Sequence, residues 1–469
     1  MSAAGNVKLI EIDWPDFGPA EAPAAISLGE YQSRLSHCRA RMVQMGLSHL
    51  VVYADREHFA NLTYLTGFDP RFEEALLIIG GAGKPLLVVG NECEGYLPVS
   101  PLFQAGELRS EVYQPFSLLD QPRDKSRLMR DILADEGIGL GSLVGCAGWK
   151  YFGENEHPDA AHAIEIPAYI VDTLRALAGH AAVINANSIL MNAADGLRAI
   201  ASPAEIAYFE YTNALAADSL RQMIFGLREG MVDHELMALA GLNGIPLGCH
   251  PTLATGDHWQ TGLYSPTGQI VRRGSPLSTN VCYWGSNICR AGWVAESATD
   301  LPDDAQDYIE QFAAPYFAAM ADWFAHLTIG RPGGELWQLI QDQLPFDKFG
   351  IFLNPGHLIH YDEWLSSPIY EGSDIPLASG MVFQVDVIPF STTYSSTRME
   401  DGVALADARL RQKLAEAYPA AWARIEARRT FMADVLGIPL PEEVLPLSNM
   451  PAIISPFLLA PRQVLALQS

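Results

Sequence analysis

The chain has 469 residues, 49% of them hydrophobic, which is enough for two or more buried cores and too apolar for a disordered chain. Its 55 acidic against 30 basic residues give a formal net charge of −25, a field that repels polyphosphates and argues against nucleic acid or an anionic membrane as partner. No window reaches the run of about 18 apolar residues of a membrane span, and MSAAGNVKLIEIDWPDFGP lacks the basic start and apolar core of a signal peptide, so the expected compartment is the cytoplasm. The six cysteines (38, 93, 146, 249, 282, 289) include no C-x-x-C and read as reduced thiols.

In chain order, apolar residues at mixed three- and four-residue spacings predict a helix over 28–45 that ends at Gly46. HLVVY (49–53), EALLIIG (74–80) and PLLVVG (85–90) predict strands of a first α/β unit, the last two joined by a Gly-rich turn at 81–83. Further strand and helix signals run from 170 to 187. Ser202-Pro203, with Glu205 at the third position beyond the serine, predicts a helix to 225 that opens a second domain after a boundary near 195. From Leu277 the pattern turns to β-runs and polar turns: LSTNVCYW and NICRAGW flank Gly285-Ser286, FGIFLN runs into PGHLIH, and GMVFQVDVIPF is followed by TRMEDGVAL. A helical stretch from Arg409 to Leu436 precedes the tail GIPLPEEVLPLSNMPAIISPFLL, apolar enough to require packing against the body or a partner subunit. The expected organisation is an α/β domain over 1–195, an α+β domain over 196–410, and a helical extension with a packing tail over 411–469.

If Trp284-Gly285 form a two-residue hairpin loop, Cys282 faces Asn287 and Asn280 faces Cys289, and period two turns all four to one face. For any isolated pair, half-buried polar residues satisfying each other is the simpler reading. His357, Asp386 and Glu400 lie on later strands expected in the same sheet, each flanked by apolar residues that would bury it. A charged group there needs partners or a function. Arg398, two residues before Glu400, points to the same face, and His360 and Glu363 extend the pocket.

The order of a polar hairpin, PGHLIH, SGMVFQVDVIPF and TRMEDGVAL resembles the pita-bread family that contains methionine aminopeptidase, Xaa-Pro dipeptidase and aminopeptidase, and creatinase. ANLTYLTGFDPRFEEALLII is similar to the strand region of the creatinase-type N-terminal domain, so the implied fold is a creatinase-like α/β domain followed by a pita-bread domain with a curved antiparallel sheet. By motif, the family's metal ligands fall at Asn280, Asn287, His357, Asp386 and Glu400. Replacing two aspartates by asparagine removes two negative charges that a dinuclear centre needs, so the expected cleft is metal-free. If metallated, Asn287, His357, Asp386 and Glu400 would hold Mn, Zn, Co or Fe.

Creatinase, a metal-free member, implies hydrolysis or lysis of a C–N bond in a small zwitterionic guanidino or amide substrate. His357 would exchange protons, Asp386 and Glu400 would bind a cationic or amide nitrogen, and Asn280, Asn287, Arg398 and His360 would contact the substrate. In TGDHWQTGLYSPT the place of creatinase's catalytic histidine falls near Leu263 and Tyr264, where none stands; His258 either substitutes or is a loop residue without a role. The resemblance also implies a homodimer in which Arg71 reaches the neighbouring cleft and takes a substrate carboxylate, the alternative being a surface ion pair with Glu73 or Glu74. Two other functions stay open: a metal-dependent Xaa-Pro peptidase with an altered ligand set, and a non-catalytic pita-bread binding protein.

Overall fold

The computed structural model describes residues 6–468. It divides into a first unit, Ala25–Ala199, and a second that runs from Ile200 onward and includes the N-terminal residues up to Ala24.

The first unit is built on a six-stranded mixed sheet in the order Arg109–Val112, Leu86–Val89, Ala75–Gly80, His49–Ala54, Val144–Ala147, Val183–Asn185. The central strands are apolar at consecutive positions because both faces are covered. Val51, Leu76, Ile78, Val88 and Val144 share one core with Ile132 and Leu133 of the helix Met129–Asp135 and with Ile170 and Leu174 of the helix Ala168–Ala178. The helix Leu28–Gln44 starts where the Ser27 side chain accepts the N–H of Glu30, and it stops before Gly46 at φ +70°.

The second unit is organised by the helix Pro203–Gly226, whose Ser202 and Glu205 form a capping box. It packs on the hairpin of Pro276–Tyr283 and Ser286–Trp293. The hairpin register pairs Asn287 with Cys282 and Cys289 with Asn280 across the Trp284-Gly285 loop, as the sequence predicts. Gly285 sits at φ +78°, and a Cβ there would overlap the Phe209 ring of the helix. Leu253–Thr255 and Arg398–Glu400 complete this sheet on its two sides, the latter with Glu400 opposite Cys289.

His357, Asp386 and Glu400 do not share one sheet, which corrects the sequence expectation. His357–Leu358 belongs to a second sheet with Val382–Gln384, Gly402–Leu405 and Val444–Pro446, and Asp386 follows Val382–Gln384 in irregular chain. The expected long strands are short because a Pro355-Gly356 turn, with Gly356 at φ +113°, precedes His357, and Pro389 follows Asp386. The two sheets meet where Arg398–Glu400 runs into Gly402–Leu405. There the buried Asp401 accepts Arg290 Nη2 at 3.0 and 2.9 Å and the N–H of Ala452 at 3.0 Å.

The apolar tail is covered by its own chain. Val444–Pro446 pairs with Gly402–Leu405, Gln463–Leu467 pairs antiparallel with Val7–Glu11, and Met450, Ile453, Ile454 and Phe457 are buried. Residues 6–24 therefore fold with the second unit instead of the first, and the apolar tail residues from 444 to 458 are buried within their own chain. No helix among the described residues is long and apolar enough to cross a membrane.

Candidate functional site

Three buried side chains from three separate segments, His357, Asp386 and Glu400, bring one imidazole nitrogen and two carboxylate oxygens within 4.8 Å of one another. The His357 ring is stacked on Trp364 at 4.0 Å between centroids, and its Nδ1 lies 3.1 Å from Leu358 O. Its Nε2 lies 3.2 Å from Glu363 Oε1 but outside hydrogen-bonding geometry. Asp386 Oδ1 is likewise buried without a hydrogen-bond partner.

The hairpin supplies a chain of amides behind this cluster. Thr252 donates to Asn280 Oδ1 through its N–H at 2.6 Å and its hydroxyl at 2.9 Å. Asn280 Nδ2 donates to Asn287 Oδ1 at 2.9 Å, and Asn287 Nδ2 donates to Glu400 Oε1 at 2.9 Å and to Glu363 Oε1 at 3.4 Å. Every amide is oriented by the one before it, so Glu400 meets a donor and not a second oxygen. Arg398 Nη2 sits 3.5 Å from Glu400 Oε2, and Arg398 Nε has no partner.

Burial, reinforced by Asp386, pushes Glu400 well above the usual carboxylate range. Burial also raises Asp386, against the pull of Arg398 and His357. For His357 burial works against the imidazolium, but the adjacent Glu363 outweighs it and raises the pKa. The converse holds Glu363 below its ordinary value: burial would raise it, and His357 and Asn287 lower it further than that. Two neighbouring carboxylates in a dry site stay ionised together only beside a cation; without one, they hold a proton.

Most of the residues singled out from the sequence gather here: Asn280, Asn287, His357, Asp386, Arg398 and Glu400. Glu363, expected to extend the pocket, and the Trp364 ring prove as close to His357 as any of them; Trp364, an apolar residue in PGHLIHYDEW, carried no sequence signal. His360 instead pairs with Glu205 at 2.9 Å and packs on Phe209, which makes it a buried partner of the capping box. His258 stacks on Tyr264 at 4.1 Å and contacts Thr267 at 3.0 Å, within its own loop. Arg71 is in the first unit, exposed, at φ +59°, with Asp69 at 3.6 Å and the Tyr96 ring at 5.1 Å. Its ion pair is thus with Asp69; Glu74 accepts the Tyr53 hydroxyl at 2.6 Å, and Glu73 accepts the N–H of Cys93 at 2.9 Å. Cys289 is buried, with its thiol pushed up to about 12, and Cys282 is raised well above its usual value, burial being the main cause for both; neither is poised as a nucleophile.

The donor set fits one divalent ion. His357 Nε2 and Asp386 Oδ1 are orphaned, and Glu400 is next to them. The two asparagines add no charge to this set, and their oxygens accept hydrogen bonds within the hairpin, Asn280 Oδ1 from Thr252 and Asn287 Oδ1 from Asn280.

No family model matches the sequence, and neither does any curated protein. Solved structures do match. The prolidase from Thermococcus sibiricus aligns at a TM-score of 0.63 and 17% identity, over 82% of this chain and 96% of that one. Dipeptidase PepE from Mycobacterium ulcerans aligns at 0.61 and 18%, over 82% and 95%. The His243Ala form of Escherichia coli aminopeptidase P aligns at 0.56 and 14%, over 86% and 100%. At these identities the likeness is one of fold, and the chain has the pita-bread fold of the prolidases, Xaa-Pro dipeptidases and aminopeptidase P.

Proposed function

We propose that this protein is a hydrolase of a C–N bond in a small, peptide-like substrate, and that it works with one ion of Mn, Zn, Co or Fe held by His357, Asp386 and Glu400. What supports it is the convergence of three buried donor atoms within 4.8 Å, two of them without any other partner, in a fold shared with peptidases. An ion at that place supplies Lewis acidity to the scissile carbonyl. The chain's own residues do the rest. Glu363, the more exposed carboxylate, takes a proton from the attacking water and returns it to the leaving amine. The Thr252–Asn280–Asn287 chain holds Glu400 in one orientation, and Trp364 holds the His357 ring. The substrate carboxylate is taken by Arg71 of a second subunit in a homodimer; its exposure leaves it available for that role.

A metal-free, creatinase-like cleft acting on a guanidino acid is the second reading. It is favoured by the closeness of Glu363 to His357, which gives the imidazolium a counter-ion, and by the raised Glu400, which carries a proton in place of an ion. Elemental analysis after purification without chelators, paired with assays on Xaa-Pro dipeptides and on guanidino acids, separates the two. One equivalent of metal per chain with dipeptide turnover is expected; no metal with guanidino-acid turnover establishes the second reading, and two equivalents refute the one-ion site. Metal-free protein inactive on both classes points to a binding protein.

A further inference from the structure

The first unit has a cleft of its own, and its position follows from the sheet topology. From the strand His49–Ala54 the chain goes to an antiparallel neighbour, Ala75–Gly80, on one side. The neighbour on the other side, Val144–Ala147, is parallel to it and leads outward to Val183–Asn185. The carboxyl ends of these two parallel strands are therefore the point from which connections leave in opposite directions, where open α/β sheets leave a crevice for ligands. Tyr53 near the end of His49–Ala54, and Asp55, His58, Gly148 and Trp149 just past the two strand ends, line a cleft of about 170 Å³ together with Glu165, Ile166 and Pro167.

The polar groups of this cleft are fixed before any ligand arrives. Asp55 accepts the N–H of His58 at 2.7 Å, the N–H of Glu57 at 2.9 Å and His58 Nδ1 at 3.1 Å, so the ring is oriented and Nε2 is its remaining polar atom. Glu165 Oε1 accepts the backbone N–H of Trp149 and that of Lys150, the latter at 3.0 Å. A Cβ on Gly148 would overlap Glu165 Oε1, so the glycine is what lets the carboxylate reach the strand end. The hydrogen bond that His58 donates to Asp55 and the charge of Glu165 both favour the protonated form of His58. Trp149, 5.4 Å from the His58 ring, gives the cleft an aromatic wall.

We infer that this crevice binds a small zwitterion of amino-acid size, its ammonium on Glu165, its carboxylate on His58 and its side chain against Trp149 and Ile166. The inference does not depend on the function proposed for the second unit. Thermal shift and calorimetry with the twenty free amino acids test it, together with the N-acetyl and methyl-ester forms of any that bind. At least one amino acid is expected to bind with a dissociation constant of about 1 mM or tighter, and blocking either pole should weaken it about tenfold or more. His58→Gln and Glu165→Gln should each weaken it similarly, while Asp386→Asn should not. Binding lost in Asp386→Asn but kept in the other two would place the ligand in the second unit and overturn the inference, as would no binding at all. Should a variant fail to fold, the blocked ligands on the unaltered chain decide.

Discussion

At the residue scale, the Asp386–Glu400 pair sets the balance between proton and ion. Both carboxyls have raised pKa values in the folded protein, so as pH rises past the ordinary carboxylate range the unfolded chain releases protons that the native chain retains, and stability falls. His357 has the same sign, since its raised pKa contributes stability below its ordinary 6.5 that is lost as pH climbs through the folded value. Glu363 has the opposite sign: its lowered pKa contributes above its ordinary 4.5 and is lost on acidification. Metal-free protein should therefore lose thermal stability from about pH 5 toward pH 8, and Glu400→Gln should flatten that slope. The gain in melting temperature on adding Mn or Zn should grow over the same range, because the ion displaces protons. A metal-induced gain independent of pH, or unchanged in Glu400→Gln, would show the ion is bound elsewhere. His357→Ala should lose the metal-induced shift and most of the turnover with it, since it removes one of the three residues proposed to hold the ion, while Glu363→Gln should lower turnover by roughly 10² to 10⁴, the range of a general acid or base.

At the element scale, the hairpin and the junction between the sheets carry the site. Gly285→Ala places a methyl group in the Phe209 ring at a left-handed position, and should cost about 2 to 4 kcal/mol in urea denaturation. Because the same hairpin presents Asn280 and Asn287, the variant should also weaken metal binding; a variant as stable as the parent would mean the helix Pro203–Gly226 shifts to admit it. Asp401→Ala leaves the buried Arg290 guanidinium without its counter-ion and should cost about 3 to 5 kcal/mol, more than the Arg290→Met, Asp401→Leu double replacement. Equal losses in the two would show that backbone carbonyls such as Ile453 O, 2.7 Å from Arg290 Nε, hold the junction by themselves.

At the scale of the whole molecule, the N-terminal strand is part of the second unit. Removing residues 1–24 deletes the partner of Gln463–Leu467 and should lower the melting of the second unit while leaving that of Ala25–Ala199 unchanged. Calorimetry resolving two transitions checks this, and a shift in both would mean the units melt as one. The shared-site dimer predicts that His357→Ala and Arg71→Ala chains, each inactive alone, recover part of the activity when mixed, since some hybrid sites contain neither lesion. Mixtures that exchange subunits and stay inactive would remove that arrangement.

Local patterning determined a good deal by itself. The helix beginning at Ser202, the three first-unit strands and the 282–287 hairpin register depend on spacing, capping and a two-residue loop, all of which lie within a few residues of one another. The polar hairpin face and the buried His, Asp and Glu could be read because a charged group among apolar neighbours stands out in one dimension. Where those groups meet was decided only by tertiary structure. Asp386 reaches Glu400 from irregular chain, Glu363 arrives beside His357 from a loop, His360 is drawn away to the cap of a helix more than a hundred residues earlier, and the strand at 7–11 finds its partner at 463–467. Such contacts are set by how the sheets cross and which ends lie together, and periodicity along the chain has no term for distance across it.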